Sequence, residues 1–211
     1  MDISNWLFWN VDTQVDFVEP EGKLYVNGAE QLKPVWNDIR LLAKKYHIKI
    51  INTADFHWPG SSELSADPDF TSTFPPHCMA NTKGAEYVKE TQPENVLIVD
   101  WDKPFTYNRD QIKSQQNIVI RKDSFDVFAG NPYTSAIVET LAPETVVVYG
   151  VTTNVCVNDA VIGLSKRVKN IYIIEGAIKE LPNIPLPFEN WEKLGVKMIQ
   201  FADLKEMLDN Q

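Results

Sequence analysis

The chain has 211 residues, 44% of them hydrophobic, and no Gly/Ser-rich or Pro-rich linker, which predicts a single domain over residues 1–211 with a full-sized core. A net charge of −9 gives no support for nucleic acid or an anionic membrane as partner. With no signal-like segment and no apolar stretch of membrane-spanning length, a soluble cytoplasmic protein with no membrane partner is expected. The two cysteines sit in different settings, Cys78 after a His in a Pro-containing loop and Cys156 at a strand end, so reduced thiols are expected rather than a disulfide.

Strand-like apolar runs occur at 6–11, 48–53, 96–99, 117–120, 146–149, 171–174 and 197–201. Helical spacing appears over 29–45, where Leu32, Val35, Trp36, Ile39, Leu42 and Ala43 share a face, and again over 133–141 and 155–167. Alternation of this kind predicts βαβ units, a mostly parallel sheet and helices on both faces. The exception is 56–84, dense in Pro, Ser, Asp and Thr. A connection that long is usually functional or disordered, and its aromatics Trp58, Phe70 and Phe74 speak against disorder.

In doubly wound sheets ligands bind beyond the carboxyl ends of the strands, and the residues there are rich in chemistry. Asp12, Gln14 and Asp16 follow the first run, Asp55 and His57 the second, Arg121 and Lys122 the fourth, and Cys156 the fifth. Cys156 falls in the first turn of a helix, where free backbone N–H groups and the helix dipole favour a thiolate and can bind an oxyanion. The plain alternative is an inert buried thiol. Asp12 beside it would serve as general acid and base, or is simply a turn residue. Lys122 would stabilise thiolate and carboxylate together, or is a solvated lysine. Asp55 and His57, two apart on an extended segment, point the same way, and His77 lies across the long loop. Two imidazoles and a carboxylate suit Zn²⁺, with Mn²⁺ or Fe²⁺ as alternatives, unless both histidines merely bond backbone. Glu63 is a further candidate for that shell, whereas His47 is placed on an exposed helix end.

Taken in order, Val11-Asp12-Thr13-Gln14-Val15-Asp16-Phe17, Asp55-Phe56-His57, Phe74-Pro75-Pro76-His77-Cys78 with Gly84-Ala85-Glu86, Lys122 before Ser124-Phe125, and Gly150-Val151-Thr152-Thr153-Asn154-Val155-Cys156-Val157 resemble the isochorismatase-like cysteine hydrolases, and most closely their nicotinamidase branch. The resemblance covers most of the chain. It implies a three-layer α/β/α sandwich with a roughly six-stranded, mostly parallel sheet, a Cys156-Asp12-Lys122 triad, and a metal held by Asp55, His57 and His77. It also implies a cis peptide between Val151 and Thr152, with the N–H groups of Thr152 and Cys156 as oxyanion donors. Phe17, Phe74 and Gln14 are the implied substrate contacts, although Phe17 fits equally well as a core aromatic. The implied reaction is hydrolysis of a small-molecule amide, nicotinamide before other amides or carbamoyl compounds, by an enzyme of a fold that commonly forms homo-oligomers. Isochorismate fits less well, because vinyl-ether cleavage needs neither the thiol nor the Asp-His-His group. A non-catalytic interaction domain is the alternative of another class. Two positions depart from the branch: Phe74 stands where many members carry Trp, and no histidine lies between His57 and His77. The segment 177–191 matches no chemical motif.

Overall fold

A computed structural model describes residues 3–210. The apolar runs pair into one sheet of seven strands, β1 (Trp6–Val11), β2 (Lys49–Asp55), β3 (Val96–Val99), β4 (Asn117–Lys122), β5 (Thr145–Val151), β6 (Asn170–Lys179) and β7 (Lys197–Ile199). Their order is β3-β4-β2-β1-β5-β6-β7 and every neighbouring pair is parallel. The order reverses between β1 and β5, which opens a crevice at their carboxyl ends. Asp12 leaves β1 at that crevice, and Cys156 follows β5 across it.

Alternation along each strand feeds two cores. Trp6, Phe8, Ile50, Val147 and Tyr149 face one layer, in which α1 (Val15–Val18) contributes Phe17 and Val18, α2 (Lys33–Lys45) Trp36 and Ile39, and α8 (Phe201–Asp209) Leu204 and Leu208. Leu7, Trp9, Ile51, Ile120 and Val148 face the other, built from α3 (Arg109–Ser114), α4 (Val127–Gly130), α5 (Thr134–Leu141), α6 (Cys156–Ser165) and α7 (Phe188–Lys193). β1 is buried along its whole length, as expected for a central strand covered on both sides. No helix among the described residues is long and apolar enough to cross a membrane.

The architecture is the expected three-layer one, with seven strands rather than about six because the short run at 197–199 also pairs. Several boundaries move. β2 and β4 run on to Asp55 and Lys122, past the last apolar residue of each run, because those side chains are buried in pairs with each other. β6 continues through Glu175 and Gly176 to Lys179 after a register shift against β5. The stretch 29–45 is a 3-10 turn followed by an α-helix that begins beside Pro34, and residue 201 opens a helix instead of closing a strand. Between β2 and β3 the chain forms no α-helix, only a 3-10 turn at Lys83–Ala85 and isolated bridges such as His57 to Met79.

Gly150 sits at φ +121° against β1, where an added Cβ would lie 2.1 Å from the Val11 carbonyl oxygen. Gly150→Ala should therefore lose roughly 3 kcal/mol or more of stability in urea unfolding, since backbone strain and a clash with main chain act together. Gly176→Ala, with nothing within 4 Å of the new methyl, should be near neutral in the same assay.

Candidate active site

Lys122 ends β4 and is 1% exposed. An ammonium so buried requires anions close by, and it has them. Its Nζ lies 3.0 Å from Asp12 Oδ2, donates to Asp55 Oδ1, and is 3.7 Å from Cys156 Sγ. Asp12 Oδ1 also accepts from Thr53 Oγ1 at 2.6 Å. The ligand atoms of Asp12, Asp55 and Cys156 all lie within 4.8 Å of one another. The Lys122 ammonium contacts all three, so that cluster already has its cation. Arg121, the other base after this run, points to the opposite face, over the Phe56 ring and onto Asp100 at 2.9 Å.

The sequence expectation of a thiolate favoured at rest is revised by this packing. Burial pushes the Cys156 thiol well above its ordinary range, Lys122 pulls it down, and Asp12, Asp55 and Glu63 push it up again. Burial likewise raises the Asp12 carboxyl, with Lys122 opposing and Asp55 reinforcing. Burial also acts to raise Asp55, yet Lys122 and then His57 and His77 outweigh it and hold that carboxyl well below the usual range. Thus Asp55 stays ionised, while Cys156 is a thiol that needs a base and Asp12 is a basic carboxylate beside it.

On its other side Asp55 meets the two predicted histidines. Its Oδ2 is 3.7 Å from His57 Nε2 and 3.6 Å from His77 Nε2, and the three ligand atoms lie within 4.8 Å. Asp55 Oδ2 and His57 Nε2 are buried without a hydrogen-bond partner. Both histidines turn Nδ1 outward, His57 to Asp123 Oδ1 at 2.9 Å and His77 to the Pro75 carbonyl at 2.8 Å. Two nitrogens and one carboxylate oxygen converge, with the far ring nitrogens already engaged, so the donor set fits a divalent ion such as zinc. Glu63 is buried close by, but its Oε1 accepts from Phe125 N at 2.6 Å and it lies outside that 4.8 Å group. His47, the remaining histidine, is exposed as expected.

Phe17 and Phe74 stand edge-on to His77, with ring centroids 5.2 and 6.4 Å away. Gln14 is spent on the backbone: its amide nitrogen donates to Asp55 O and Ala85 O at 2.7 and 2.9 Å, and its oxygen accepts from Asp55 N at 2.8 Å. Its structural part is to clamp Asp55. Asp16 does the same for the loop of His77, accepting from Cys78 N at 2.7 Å. The Val151–Thr152 peptide is cis, as the resemblance implies. In the turn that follows, Thr153 N donates to Lys179 O, while Val155 N and Val157 N donate to Thr152 O. None of these bonds uses the N–H of Thr152 or Cys156. The unassigned segment 177–191 braces this turn: Asn154 donates to the carbonyls of Leu181 and Ile184 and accepts from Leu181 N, and Trp191 Nε1 donates to Asn158.

Sequence reasoning missed three things here: that Asp55 serves both groups, that Thr53 bonds Asp12, and that Asp123 holds His57. Each is a contact between distant segments, and no local spacing signals it.

Residues 106–185 match the isochorismatase domain family. A stretch of 77 residues, 36% of the chain, is 39% identical to the nicotinamidase/pyrazinamidase of Mycobacterium tuberculosis (strain ATCC 25618 / H37Rv) and spans 40% of that relative's length. The pyrazinamidase of Pyrococcus horikoshii, solved in complex with zinc, superposes with a TM-score of 0.70 at 23% identity, over 93% of this chain and 99% of that one. N-carbamoylsarcosine amidase from Thermoplasma acidophilum superposes with the same score at 17% identity, over 93% and 96%. Over residues 106–185, therefore, the chain resembles the isochorismatase family. Both superpositions, at such low identity, bear on the isochorismatase-like fold alone. The sheet that carries the crevice residues therefore has counterparts over nearly the whole chain.

Replacing Lys122 with Met leaves Asp12 and Asp55 buried without their cation, which should cost about 3–5 kcal/mol at neutral pH. Lone buried carboxylates take up protons in the folded state above the unfolded value of about 3.9, so this variant should gain stability as the pH falls towards 5. In the wild type Asp55 is depressed, and its contribution is present above that value and lost only as the pH falls below it. Urea unfolding of both proteins at pH 7.5 and pH 5 checks that the deficit of the variant shrinks as the pH falls, while Asp55 adds no pH dependence to the wild type over this range.

Proposed function

We propose that the chain is a metal-assisted cysteine amidohydrolase that cleaves a small amide through a thioester, with residues 1–211 acting as one hydrolase domain. The observation that carries the reading is the buried Lys122 ammonium touching Asp12, Asp55 and the Cys156 thiol at once. A scaffold protein has no use for that arrangement, whereas a thiol held protonated by burial and set beside a basic carboxylate is built to be activated only when attack occurs.

Asp12 takes the proton from Cys156 Sγ, and Lys122 balances the charge that moves. Sulfur attacks the amide carbon, and the N–H groups of Thr152 and Cys156 receive the oxyanion, each worth about 3 kcal/mol in the transition state. Asp12 returns the proton to the departing ammonia. It then takes one from water, which attacks the thioester, and hands that proton to the departing sulfur as the acid is released, restoring the thiol and the carboxylate. Asp55, His57 and His77 would hold a divalent ion, zinc before manganese or iron, which would supply a Lewis-acid anchor for a lone-pair atom of the substrate. Phe17 and Phe74 wall the same place with apolar ring surface, which suits a flat heteroaromatic amide.

Nicotinamide, giving nicotinate and ammonia, is the proposed substrate, supported by the partial identity to a nicotinamidase/pyrazinamidase. A second reading, another small amide or a carbamoyl compound, rests on Phe74 standing where many members of the nicotinamidase branch carry Trp. An ammonia-release assay on a panel of small amides separates them. The wild type should act on nicotinamide, Cys156→Ala should abolish turnover, and Asp12→Asn should lower it by roughly 10²–10⁴-fold. Release from a carbamoyl compound alone installs the second reading, and release from no amide returns the chain to the non-catalytic alternative. Dialysis against a chelator should remove activity, and added zinc should restore it.

A further inference from the structure

We infer that Asp123 is a positioning residue that fixes His57 in the Nδ1–H form and so presents the Nε2 lone pair to the metal group. The inference rests on the proposed reading of Asp55, His57 and His77 as metal ligands and names a residue that reading does not include.

Asp123 Oδ1 lies 2.9 Å from His57 Nδ1, and the same oxygen accepts from Ser61 Oγ. Ser61 Oγ in turn accepts from Trp58 N at 3.0 Å. Every direction in this chain is forced. A backbone N–H can only donate, so the single Ser61 proton is left for Asp123, and a carboxylate can only accept, so the proton facing it must sit on His57 Nδ1. In the neutral ring, the form that binds a metal, His57 Nε2 then carries the lone pair, on a buried atom without a hydrogen-bond partner 3.7 Å from Asp55 Oδ2. His77 reaches the same state by a different device, the backbone carbonyl of Pro75. One imidazole is thus held by main chain and cannot be released by substitution, while the other depends on one side chain.

The position of Asp123 matters as much as its contact. It directly follows Lys122, so two consecutive residues at the end of β4 serve the two halves of the site, one holding the triad together and the next orienting a histidine. Displacement of this strand end shifts both together. Ser61 ties the start of the long connection to the same point, so the loop that brings His57 is clamped at Asp123 as well as at Asp55.

The test uses the full-length chain with Asp123→Ala, Asp123→Asn and Ser61→Ala, each checked for wild-type circular dichroism and melting. Zn²⁺ affinity, measured by competition with a chromophoric chelator, should fall roughly 10–100-fold in Asp123→Ala. It should be largely restored in Asp123→Asn, whose amide oxygen still accepts from Nδ1, and fall only a few-fold in Ser61→Ala. In the metal-free protein, ¹⁵N NMR of the histidines, above the pH at which they titrate, should show His57 as Nδ1–H in the wild type and Asp123→Asn, and a mixture or Nε2–H in Asp123→Ala. A folded Asp123→Ala that binds Zn²⁺ as tightly as the wild type, or keeps His57 as Nδ1–H, overturns the inference while leaving the metal reading intact. A wild type that binds no divalent ion, but whose His57 changes form in Asp123→Ala, overturns the metal reading while the positioning role stands.

Discussion

The structure turns on one buried cation. Lys122 carries an ammonium into the interior of the sheet, and removing a charge from water is tolerable only where opposite charges and hydrogen bonds replace it. Asp12, Asp55 and the Cys156 sulfur come from three different strand ends and meet at that nitrogen. A parallel sheet delivers this naturally, since all its strands point the same way and their carboxyl ends share one rim. The ammonium therefore fixes how β1, β2 and β4 end, and where α6 must begin.

Asp55 extends that constraint to a second group. One of its oxygens is committed to Lys122 and the other faces two imidazoles, so the triad and the histidine pair share a carboxylate. Its backbone is clamped on both sides by Gln14, which leaves the side chain no freedom to choose between them. Its charge raises Cys156 and Asp12 alike. Whatever neutralises Asp55 on the histidine side also eases ionisation of the thiol, because bound cations rank among the strongest local influences on pKa.

Much of this is legible in the sequence. β1, the strand before Cys156 and the helical face of 33–45 follow directly from apolar periodicity, and the acid, base, thiol and histidines stand at strand ends where the fold class directs attention. The same periodicity misplaced the ends of β2 and β4, because it stops at the last apolar residue while the strands run on through buried charged ones. The resemblance implies a substrate contact at Gln14, whose side-chain amide is instead engaged with the main chain of Asp55 and Ala85. β6 was cut short at Glu175 and Gly176, exposed positions that read as a break but lie within a strand that resumes its pairing at Ile178. The six-residue helices α3 and α7 carry too few turns for spacing to reveal them, and α8 is hidden because the last strand-like run extends over its first residue, Phe201.

The segment after that break shows why the extra length of β6 matters for chemistry. An oxyanion site made of main-chain N–H groups works because its dipoles are already aimed and need no reorganisation when charge appears. A turn alone is too pliable for that. Here the turn is pinned by Thr153 to Lys179, by the three hydrogen bonds of Asn154 to Leu181 and Ile184, and one helical turn later by Asn158 to Trp191. Gly150 lets β5 approach β1 closely just before the turn, where any side chain would strike the Val11 carbonyl. The residues that carry no chemistry of their own, from 179 to 191, thus supply the rigidity on which the nucleophile's turn depends.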